Sequence, residues 1–361
     1  MKIKSNIKDY EVKIEKNDDF LYDLHNIDNS LFVIDRNVYK LYYKYFSRIP
    51  NESMFLIDAT EDNKTIETAL KICDEFMKIP AKRNATMITI GGGICQDITG
   101  FAANILYRGV NWILVPTTLL SACDSCIGSK TSLNYKKYKN LLGTFYPPNE
   151  LHIYSEFFKT LTDRDFQSGL GEVVKFNVMR GTSGINNLEN KMQLLLNRDK
   201  ETIDEFVLSS LEFKRPFIES DEFDKGNRIS LNFAHTFGHA IESVSNYVIP
   251  HGTAVAIGML MANYISERKG LISLKIRMRI EKLTVKIINV ELRNQFFNEA
   301  DIIEAMGNDK KRKGKKLAAV LLDSKFDTIV HYDLENDDVI SAINYILDLM
   351  KGINYNENKI I

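Results

Sequence analysis

The first third of the chain carries short, almost unbroken apolar runs, which are typical of strands buried on both faces of a parallel sheet. These runs lie at residues 31–35, 54–58, 86–90 and 111–118. Helical patterns separate them, including residues 65–78 and 97–106. The alternation of strands and helices predicts an α/β domain with a parallel-sheet core.

The pattern changes after about residue 163. Long helical periodicities then dominate, at residues 202–219, 234–248 and 252–270. Strand candidates are sparse in this half and lie at residues 317–322 and 329–332. We therefore predict two domains, residues 1–163 with the α/β pattern and residues 164–361 mostly α-helical. The length of 361 residues fits two domains of ordinary size.

Composition and charge narrow the classes of function. Apolar residues make up 44% of the chain and charged residues 26%, which is ordinary globular usage. The 47 Lys and Arg residues nearly balance the 48 Asp and Glu residues, so no bulk charge favours nucleic acid or an anionic membrane. The start of the chain lacks the apolar core of a secretory signal, and no run is long enough to span a bilayer. We expect a cytoplasmic protein.

Four cysteines are too few for a disulfide scaffold. Cys123 and Cys126 form a CxxC pair, but no second Cys or His pair lies near them in the sequence. A redox or zinc role for this pair is therefore disfavoured.

A glycine-rich turn follows the strand predicted at residues 86–90. Gly91, Gly92 and Gly93 lie at the start of the next helix, where glycine lets the backbone approach a phosphate and the helix N-terminus attracts it. Gln96 replaces the third glycine of the dinucleotide fingerprint, so a plain tight turn remains open. Asp35, at the end of the first predicted strand, suits either a hydrogen bond to a ribose or a helix N-cap.

Three of the six histidines are clustered in sequence. His235 and His239 have the i, i+4 spacing that places both on one helix face, and His251 follows shortly after. This grouping suits a metal or catalytic role, although the HExxH zinc-peptidase motif is not met. Glu172 is a candidate carboxylate ligand, or else a surface residue paired with Lys175 at i+3.

Cations and amides also recur in glycine-marked or apolar segments. In a chain of nearly zero net charge they suit a small polyanionic substrate, whereas each alone also suits a solvated surface. The set comprises Arg108, Lys130, Lys139, Asn140, Arg228 and Asn232, with Asp124 close to Lys130 in sequence.

Seven segments in order along the chain resemble the 3-dehydroquinate synthases of the sugar phosphate cyclase family. They are GGGICQDITGF, YRGVNWILVPTTLL, DSCIGSKTSLN, KNLLGTFYPP, GLGEVVK, NFAHTFGHAIE and HGTAVAIGM. The resemblance runs from about Asp35 to Leu322 and implies an NAD-binding α/β domain, residues 1–163, and a helical metal- and substrate-binding domain, residues 164–361. It also implies a homodimer and agrees with the division read from periodicity.

The resemblance assigns roles residue by residue. It implies that Glu172, His235 and His251 bind a divalent metal, zinc or cobalt. It places around NAD the residues Asp35, Asn37, Glu61, Lys64, Gly92, Gly93, Asp97, Thr117, Thr118, Lys139 and Thr160. The implied catalytic residues are Asp124, Lys130, Lys175, Asn232 and His239. The implied substrate-binding residues are Asn140, Lys214, Arg228, Lys310 or Lys311 at the phosphate, and Arg108, which reaches into the partner subunit's site.

The implied activity is conversion of 3-deoxy-D-arabino-heptulosonate 7-phosphate to 3-dehydroquinate and phosphate, by transient oxidation with NAD, phosphate elimination, reduction and aldol closure. The alternatives are a sister cyclase of the 2-deoxy-scyllo-inosose or valiolone type, acting on a sugar phosphate that lacks the carboxylate, or of the aminodehydroquinate type, acting on an amino analogue of the acid. A metal-dependent alcohol dehydrogenase and, more remotely, a non-enzymatic binding module are the others. Arg228 and Asn232 keep the synthase spacing ahead of the metal histidine, which favours the acid substrate.

Three residues depart from the family pattern. Ser129 stands where the synthases have the second glycine of GGK, Cys126 replaces a serine, and Thr253 replaces the Glu of HGE. We expect the change at Thr253 to alter the support of His251, because groups that hold metal ligands in place affect metal affinity. A sister cyclase therefore stays open as an alternative.

Overall fold

The structure is a computed structural model that describes residues 1–80, 84–136, 138–307 and 316–357. Contacts divide the chain into two compact units. The first comprises Met1–Leu161 together with Ile203–Lys225, and the second comprises Thr162–Thr202 and the chain from Gly226 onward. The first boundary between the units, after Leu161, lies two residues before the boundary predicted between residues 163 and 164. The assignment of Ile203–Lys225 to the first unit differs from that simple division, since helical periodicity does not reveal which unit a helix packs with.

A seven-stranded sheet forms the core of the first unit, in the order β1-β2-β9-β6-β5-β3-β4. Its strands are β1 Lys2–Ile3, β2 Tyr10–Ile14, β3 Ser30–Asp35, β4 Met54–Ile57, β5 Thr86–Gly91, β6 Asn111–Pro116 and β9 Glu150–Ile153. β1 and β2 are antiparallel, and all other neighbouring pairs are parallel. The four apolar runs are therefore confirmed as parallel strands, and β5 is buried along its whole length.

Helices accompany this sheet, at α1 Asp19–His25, α2 Arg36–Leu41, α3 Tyr43–Phe46, α4 Ile66–Phe76 and α5 Gly93–Ile105. A separate antiparallel hairpin consists of β7 Lys130–Tyr135 and β8 Tyr138–Phe145. The apolar pattern did not predict the hairpin, because β8 is largely exposed and lacks a continuous apolar face.

The second unit is mostly helical, as predicted. Its helices are α6 Asp163–Met179, α7 Thr182–Leu196, α9 His235–Val244, α10 His251–Arg268, α11 Leu274–Val285, α12 Glu299–Gly307 and α13 Asn336–Glu357. Helix α8, Lys200–Ser220, begins in this unit, and its residues from Ile203 belong to the first. The strands β10 Leu317–Leu322 and β11 Thr328–Leu334 form an antiparallel pair. Helix α9 is shorter than the predicted 234–248, since Asn246 and Tyr247 adopt positive φ.

Glycines let helices α6 and α10 touch along their backbones. A Cβ atom added to Gly171 would lie 1.9 Å from the carbonyl oxygen of Gly252, and one added to Gly252 would lie 1.7 Å from that of Ser168. Both distances are far below any contact that a real Cβ makes, so the approach requires glycine at both positions. It brings the neighbouring residues Glu172 and His251 together.

No helix within the described ranges is both long enough and apolar enough to cross a membrane.

Candidate functional site

Helices α6, α9 and α10 bring four potential metal ligands together in the second unit. The ligand nitrogens of His235, His239 and His251 all lie within 4.8 Å of one another. Oε1 of Glu172 lies 3.4 Å from Nε2 of His235 and 3.6 Å from Nε2 of His251. The structure therefore assembles the three predicted ligands, with His239 as a fourth group beside them.

The hydrogen bonds of two histidines direct their Nε2 atoms toward Glu172. Nδ1 of His235 lies 3.0 Å from the carbonyl oxygen of Phe233 and must donate to it. Nδ1 of His251 lies 3.1 Å from Oε2 of Glu242. When Nδ1 donates in this way, the lone pair of a neutral imidazole is on Nε2, which is the arrangement that metal-binding histidines use.

The spacing of these atoms fits a divalent cation. Ligands about 2.0–2.2 Å from a tetrahedral zinc lie about 3.4 Å from each other. The separations of 3.4 and 3.6 Å between Glu172 and the two Nε2 atoms match that value and are too long for strong hydrogen bonds. One carboxylate and two imidazoles form a zinc-type ligand set.

Burial and neighbouring charges shift the pKa of three groups in the cluster. Burial alone would raise the pKa of Glu172, but Lys175 and His251 outweigh it and lower that pKa to about 2. Burial, followed by the positive charge of Lys175, holds the pKa of His235 well below its ordinary value. Burial alone would lower the pKa of His251, whereas Glu172 and Glu242 raise it to about 10. The cluster thus presents an ionised carboxylate and a neutral imidazole, and it stabilises positive charge at His251.

Lys175 lies directly beside Glu172. Its ammonium is buried, 2.6 Å from Oε2 of Glu172, and it donates to the carbonyl oxygen of Leu231 at 3.0 Å. The i+3 pairing that the sequence left open is therefore present, but in the interior and not on the surface. An ammonium next to the ligand carboxylate is placed to stabilise negative charge that develops close to the metal.

The other predicted site residues of this unit lie close to the cluster in the chain. Arg228 is buried in a short 3₁₀ segment, Asn227–Asn232, and Asn232 ends that segment half-buried. His239 is exposed, with its ring centre 5.3 Å from that of His235. Lys310 and Lys311, predicted at the substrate phosphate, lie outside the described residues.

Thr253 itself is buried in α10. The carboxylate that contacts His251 is Glu242, the last residue of the segment AHTFGHAIE. His251 therefore has a carboxylate partner from α9, although Thr253 replaces the Glu of the family pattern. The sequence analysis missed Glu242, although its place seven residues after His235 puts both on one helix face.

In the first unit, the strand order reverses between β3 and β5. The chain passes from β3 outward to β4, returns to β5 and continues in the opposite direction to β6. Ligands of open α/β sheets bind at such a point, beyond the carboxyl ends of the strands. Asp35 ends β3, Gly91 ends β5, and α5 begins at Gly93. The glycine motif therefore has the context of a nucleotide-binding turn.

Asp35 acts as a helix cap in the structure. Its Oδ1 accepts a hydrogen bond of 2.8 Å from the backbone N–H of Asn37, the second residue of α2. Burial raises the pKa of Asp35. The N-cap interpretation is confirmed, and a ribose contact from the same carboxylate stays a prediction.

Polar residues predicted to bind NAD meet between α5 and the β7–β8 hairpin. Nζ of Lys64 lies 2.5 Å from Oδ2 of Asp97, 2.6 Å from Oδ1 of Asn140 and 3.3 Å from Oγ of Ser132. Burial raises the pKa of Asp97. Nζ of Lys139 lies 3.7 Å from Oε1 of Glu61. Asn140, predicted at the substrate, thus contacts Lys64, and Ser132 joins the network unpredicted.

The remaining predicted residues of the first unit are spread over several turns. The N–H of Thr117 donates to Gly91, Thr118 accepts from the N–H of Ser121, and Thr160 contacts the hydroxyl of Tyr42. A Cβ atom on Gly92 would lie 2.8 Å from the methyl carbon of Thr118, so this turn is tightly packed. Arg108 is exposed at a turn with positive φ.

Asp124 and Lys214 form one structural unit. Asp124 lies in a π-helical turn, Ser121–Ser125. Nζ of Lys214 donates to the backbone oxygen of Asp124 at 2.6 Å, to its Oδ1 at 2.8 Å and to the oxygen of Ile127 at 3.1 Å. These three acceptors match the three donors of an ammonium, so in this structure Lys214 holds the turn in place.

Gln96 is a second support of this π-helical turn that sequence reasoning missed. Its carboxamide accepts from the hydroxyls of Ser121 and Ser125 and donates to the backbone oxygen of Ser125. At this position, where the dinucleotide fingerprint has glycine, Gln96 links α5 to the turn. Cys123 and Cys126 are buried free thiols, and burial raises the pKa of Cys126 to about 12, which makes its thiol unreactive.

Comparison with solved structures defines the class of fold. The 2-epi-5-epi-valiolone synthase of Streptomyces hygroscopicus subsp. jinggangensis 5008, solved with NAD+ and Zn2+, has a TM-score of 0.82 and 22% identity, covering 94% of this chain and 97% of that one. A 2-deoxy-scyllo-inosose synthase, solved with carbaglucose-6-phosphate, NAD+ and Co2+, has a TM-score of 0.81 and 21% identity, covering 95% and 98%. The fold is that of the sugar phosphate cyclases.

Sequence comparison then gives the family. The 3-dehydroquinate synthase N-terminal model matches residues 54–168, and the 3-dehydroquinate synthase C-terminal model matches residues 169–312. The 3-dehydroquinate synthase of Clostridium tetani is 36% identical over 343 residues, covering 92% of this chain and 91% of that protein. The chain belongs to the 3-dehydroquinate synthase family.

Proposed function

We propose that the protein catalyses the reaction for which its family is named, the cyclisation of 3-deoxy-D-arabino-heptulosonate 7-phosphate to 3-dehydroquinate with release of phosphate. The observation that carries this proposal is the arrangement of Glu172, His235 and His251 with the ammonium of Lys175 beside them. A carbon–oxygen lyase that oxidises, eliminates and recloses a sugar acid needs such a centre to stabilise oxyanions. Family membership identifies the substrate class.

The second unit holds the divalent metal, zinc or cobalt, through Glu172, His235 and His251. When bound, such an ion supplies Lewis acidity to the oxygens of the substrate ring. Lys175 places its ammonium next to this site and stabilises negative charge on a neighbouring substrate oxygen. His239 lies exposed at the rim of the cluster, within reach of a bound ligand. The buried Arg228 and the nearby Asn232 hold the substrate carboxylate.

The first unit holds NAD at the carboxyl ends of β3 and β5. When bound, NAD would supply reversible hydride transfer to and from the substrate. The backbone N–H groups at the start of α5 bind its pyrophosphate, and Lys64, Asp97 and Lys139 line the adjacent edge. Asp124 and Lys130 act on the substrate from this unit. We also propose a cytoplasmic homodimer, in which the exposed Arg108 enters the partner's site.

The direct test is phosphate release by zinc-loaded protein with NAD+. The seven-carbon acid phosphate, sedoheptulose 7-phosphate and glucose 6-phosphate are assayed in parallel. Release from the acid alone, with dehydroquinate as product and no net NADH, is the expected result. Release from a sugar phosphate alone makes the protein a sister cyclase, and net accumulation of NADH makes it an alcohol dehydrogenase.

Replacing Arg228 separates the acid substrate from the sugar phosphates. Arg228→Ala removes a cation that forms charge-assisted hydrogen bonds with a carboxylate, each contributing about 1.5–3 kcal/mol. We expect kcat/KM for the acid phosphate to fall about 100-fold, with metal content unchanged. The control is Arg180→Ala, which removes a cation from the end of α6. If both variants lose activity equally, Arg228 does not recognise the carboxylate.

A methyl group at Gly93 tests the NAD site. A Cβ atom there has Ser125 Oγ as its nearest contact, at an ordinary 3.8 Å, so Gly93→Ala fits within the protein. The methyl group instead fills the space through which a pyrophosphate approaches α5. We expect the dissociation constant for NAD+ to rise about 10-fold, measured by calorimetry. Asn104→Ala, near the end of α5, is the control. An unchanged constant would place the pyrophosphate elsewhere.

A further inference from the structure

A buried carboxylate outside the centres described above holds the loop that precedes Lys130. Glu222 is 3% exposed. Its Oε1 accepts hydrogen bonds of 2.7 Å from the hydroxyls of Ser129 and Ser5, and its Oε2 accepts one of 2.7 Å from the backbone N–H of Asn6. A carboxylate with three donors is stable in the interior and fixes the groups that contact it.

The loop that Glu222 contacts has an unusual backbone. Ser129 has φ of +64°, and Gly128 before it has φ of +103°. A side chain in this left-handed region is strained relative to glycine. Ser129 stands where the family pattern has glycine, so the chain accepts a strained residue at the position that provides the hydroxyl. This hydroxyl donates to Glu222, a contact that glycine cannot make.

The residues after Glu222 continue the contact along the β7–β8 hairpin. The rings of Phe223 and Phe145 pack edge to face, with their centres 5.3 Å apart. Phe145 is the strand partner of Lys130. Oδ2 of Asp224 lies 2.5 Å from Nζ of Lys130, whose side chain is half exposed. Residues 222–224 therefore contact, in turn, the hydroxyl of Ser129 before Lys130, the strand partner of Lys130 and its ammonium.

We propose that Glu222 is a positioning residue for Lys130, acting through the hydroxyl of Ser129. The hydrogen bond holds the left-handed turn, the turn sets where β7 begins, and the first residue of β7 is Lys130. This inference rests on the proposed function, in which Lys130 acts on the substrate. At position 129 the chain thus has a side chain that fixes the turn, where the family pattern has a conformationally free glycine.

A double-mutant cycle between Ser129 and Lys130 tests the inference. Ser129→Gly removes the hydroxyl, relieves the strained φ and leaves Glu222 its bonds to Ser5 and Asn6, so the variant folds. Because small misplacements of a reacting group are costly, we expect kcat to fall about 10-fold with little change in the KM for the substrate. In a Lys130→Ala background, Ser129→Gly should cause no further loss.

The control is Thr131→Val, which removes a buried hydroxyl 2.6 Å from the hydroxyl of Thr144 in the same hairpin. It should lower thermal stability and leave kcat unchanged. If Lys130→Ala retains full activity, the assignment of Lys130 in the proposed function fails. If Lys130→Ala is inactive but Ser129→Gly matches the wild type, or lowers the residual activity of Lys130→Ala further, the positioning role is overturned.

Discussion

Glu172→Gln is expected to lose the bound metal and to reduce phosphate release by about 1,000-fold or more. The substitution keeps the size of the side chain but removes the negative charge that faces both Nε2 atoms. Lewis-acid catalysis contributes several kcal/mol to a barrier, and about 4 kcal/mol corresponds to 1,000-fold in rate. Metal content by mass spectrometry and phosphate release, measured on the same preparation, check the two effects together.

The matched control is His331→Ala, which removes a histidine from β11 outside the cluster. We expect that variant to keep its metal and its activity. The variant Glu172→Gln also leaves Lys175 without its ionised partner, so circular dichroism should establish that it folds. Full activity of folded, metal-free Glu172→Gln protein would rule out the metal centre.

Much of the fold was predictable because its elements have strong local signals. The buried strands β3 and β5 are rich in apolar and β-branched residues, which is typical of parallel strands covered on both faces. The hairpin of β7 and β8 carries polar and exposed residues, so its pairing depends on tertiary contacts that sequence periodicity does not report. The same holds for the segment Ile203–Lys225, which looks like any amphipathic helix but packs with the first unit.

The candidate metal site was predictable in its residue types and less so in its supports. The spacing of His235 and His239 on one helix and the motif around Glu172 singled out the cluster. Glu242 shares a helix face with His235, but that spacing alone did not single it out, because a glutamate on a helix is ordinarily a surface residue. The role of Glu222 was hidden as well, since its partners Ser5 and Ser129 are far from it in sequence.

Individual cations show a further limit of sequence reasoning. Lys214 and Lys130 both suit an anionic ligand, and only the structure distinguishes their surroundings. Lys214 is buried with three protein acceptors, whereas Lys130 is half exposed beside Asp224. A pattern that selects a residue type therefore does not reveal how many of its hydrogen bonds the protein already uses.

Among the glycine-to-alanine changes in the described helices of the second unit, we expect Gly252→Ala to be the most destabilising. The added Cβ would lie 1.7 Å from the carbonyl oxygen of Ser168, so α6 and α10 must separate by more than an ångström. Overpacking of this kind costs about 3 kcal/mol or more, and it also separates Glu172 from His251, so metal affinity falls with stability. Urea unfolding measures the free energy of unfolding, and metal titration measures the metal affinity. Gly270→Ala is the control, because nothing lies within 4 Å of its Cβ and a side chain at its φ of +71° costs only about 1–2 kcal/mol. Unchanged metal affinity in Gly252→Ala would mean that the backbone contact between α6 and α10 does not position the predicted metal ligands.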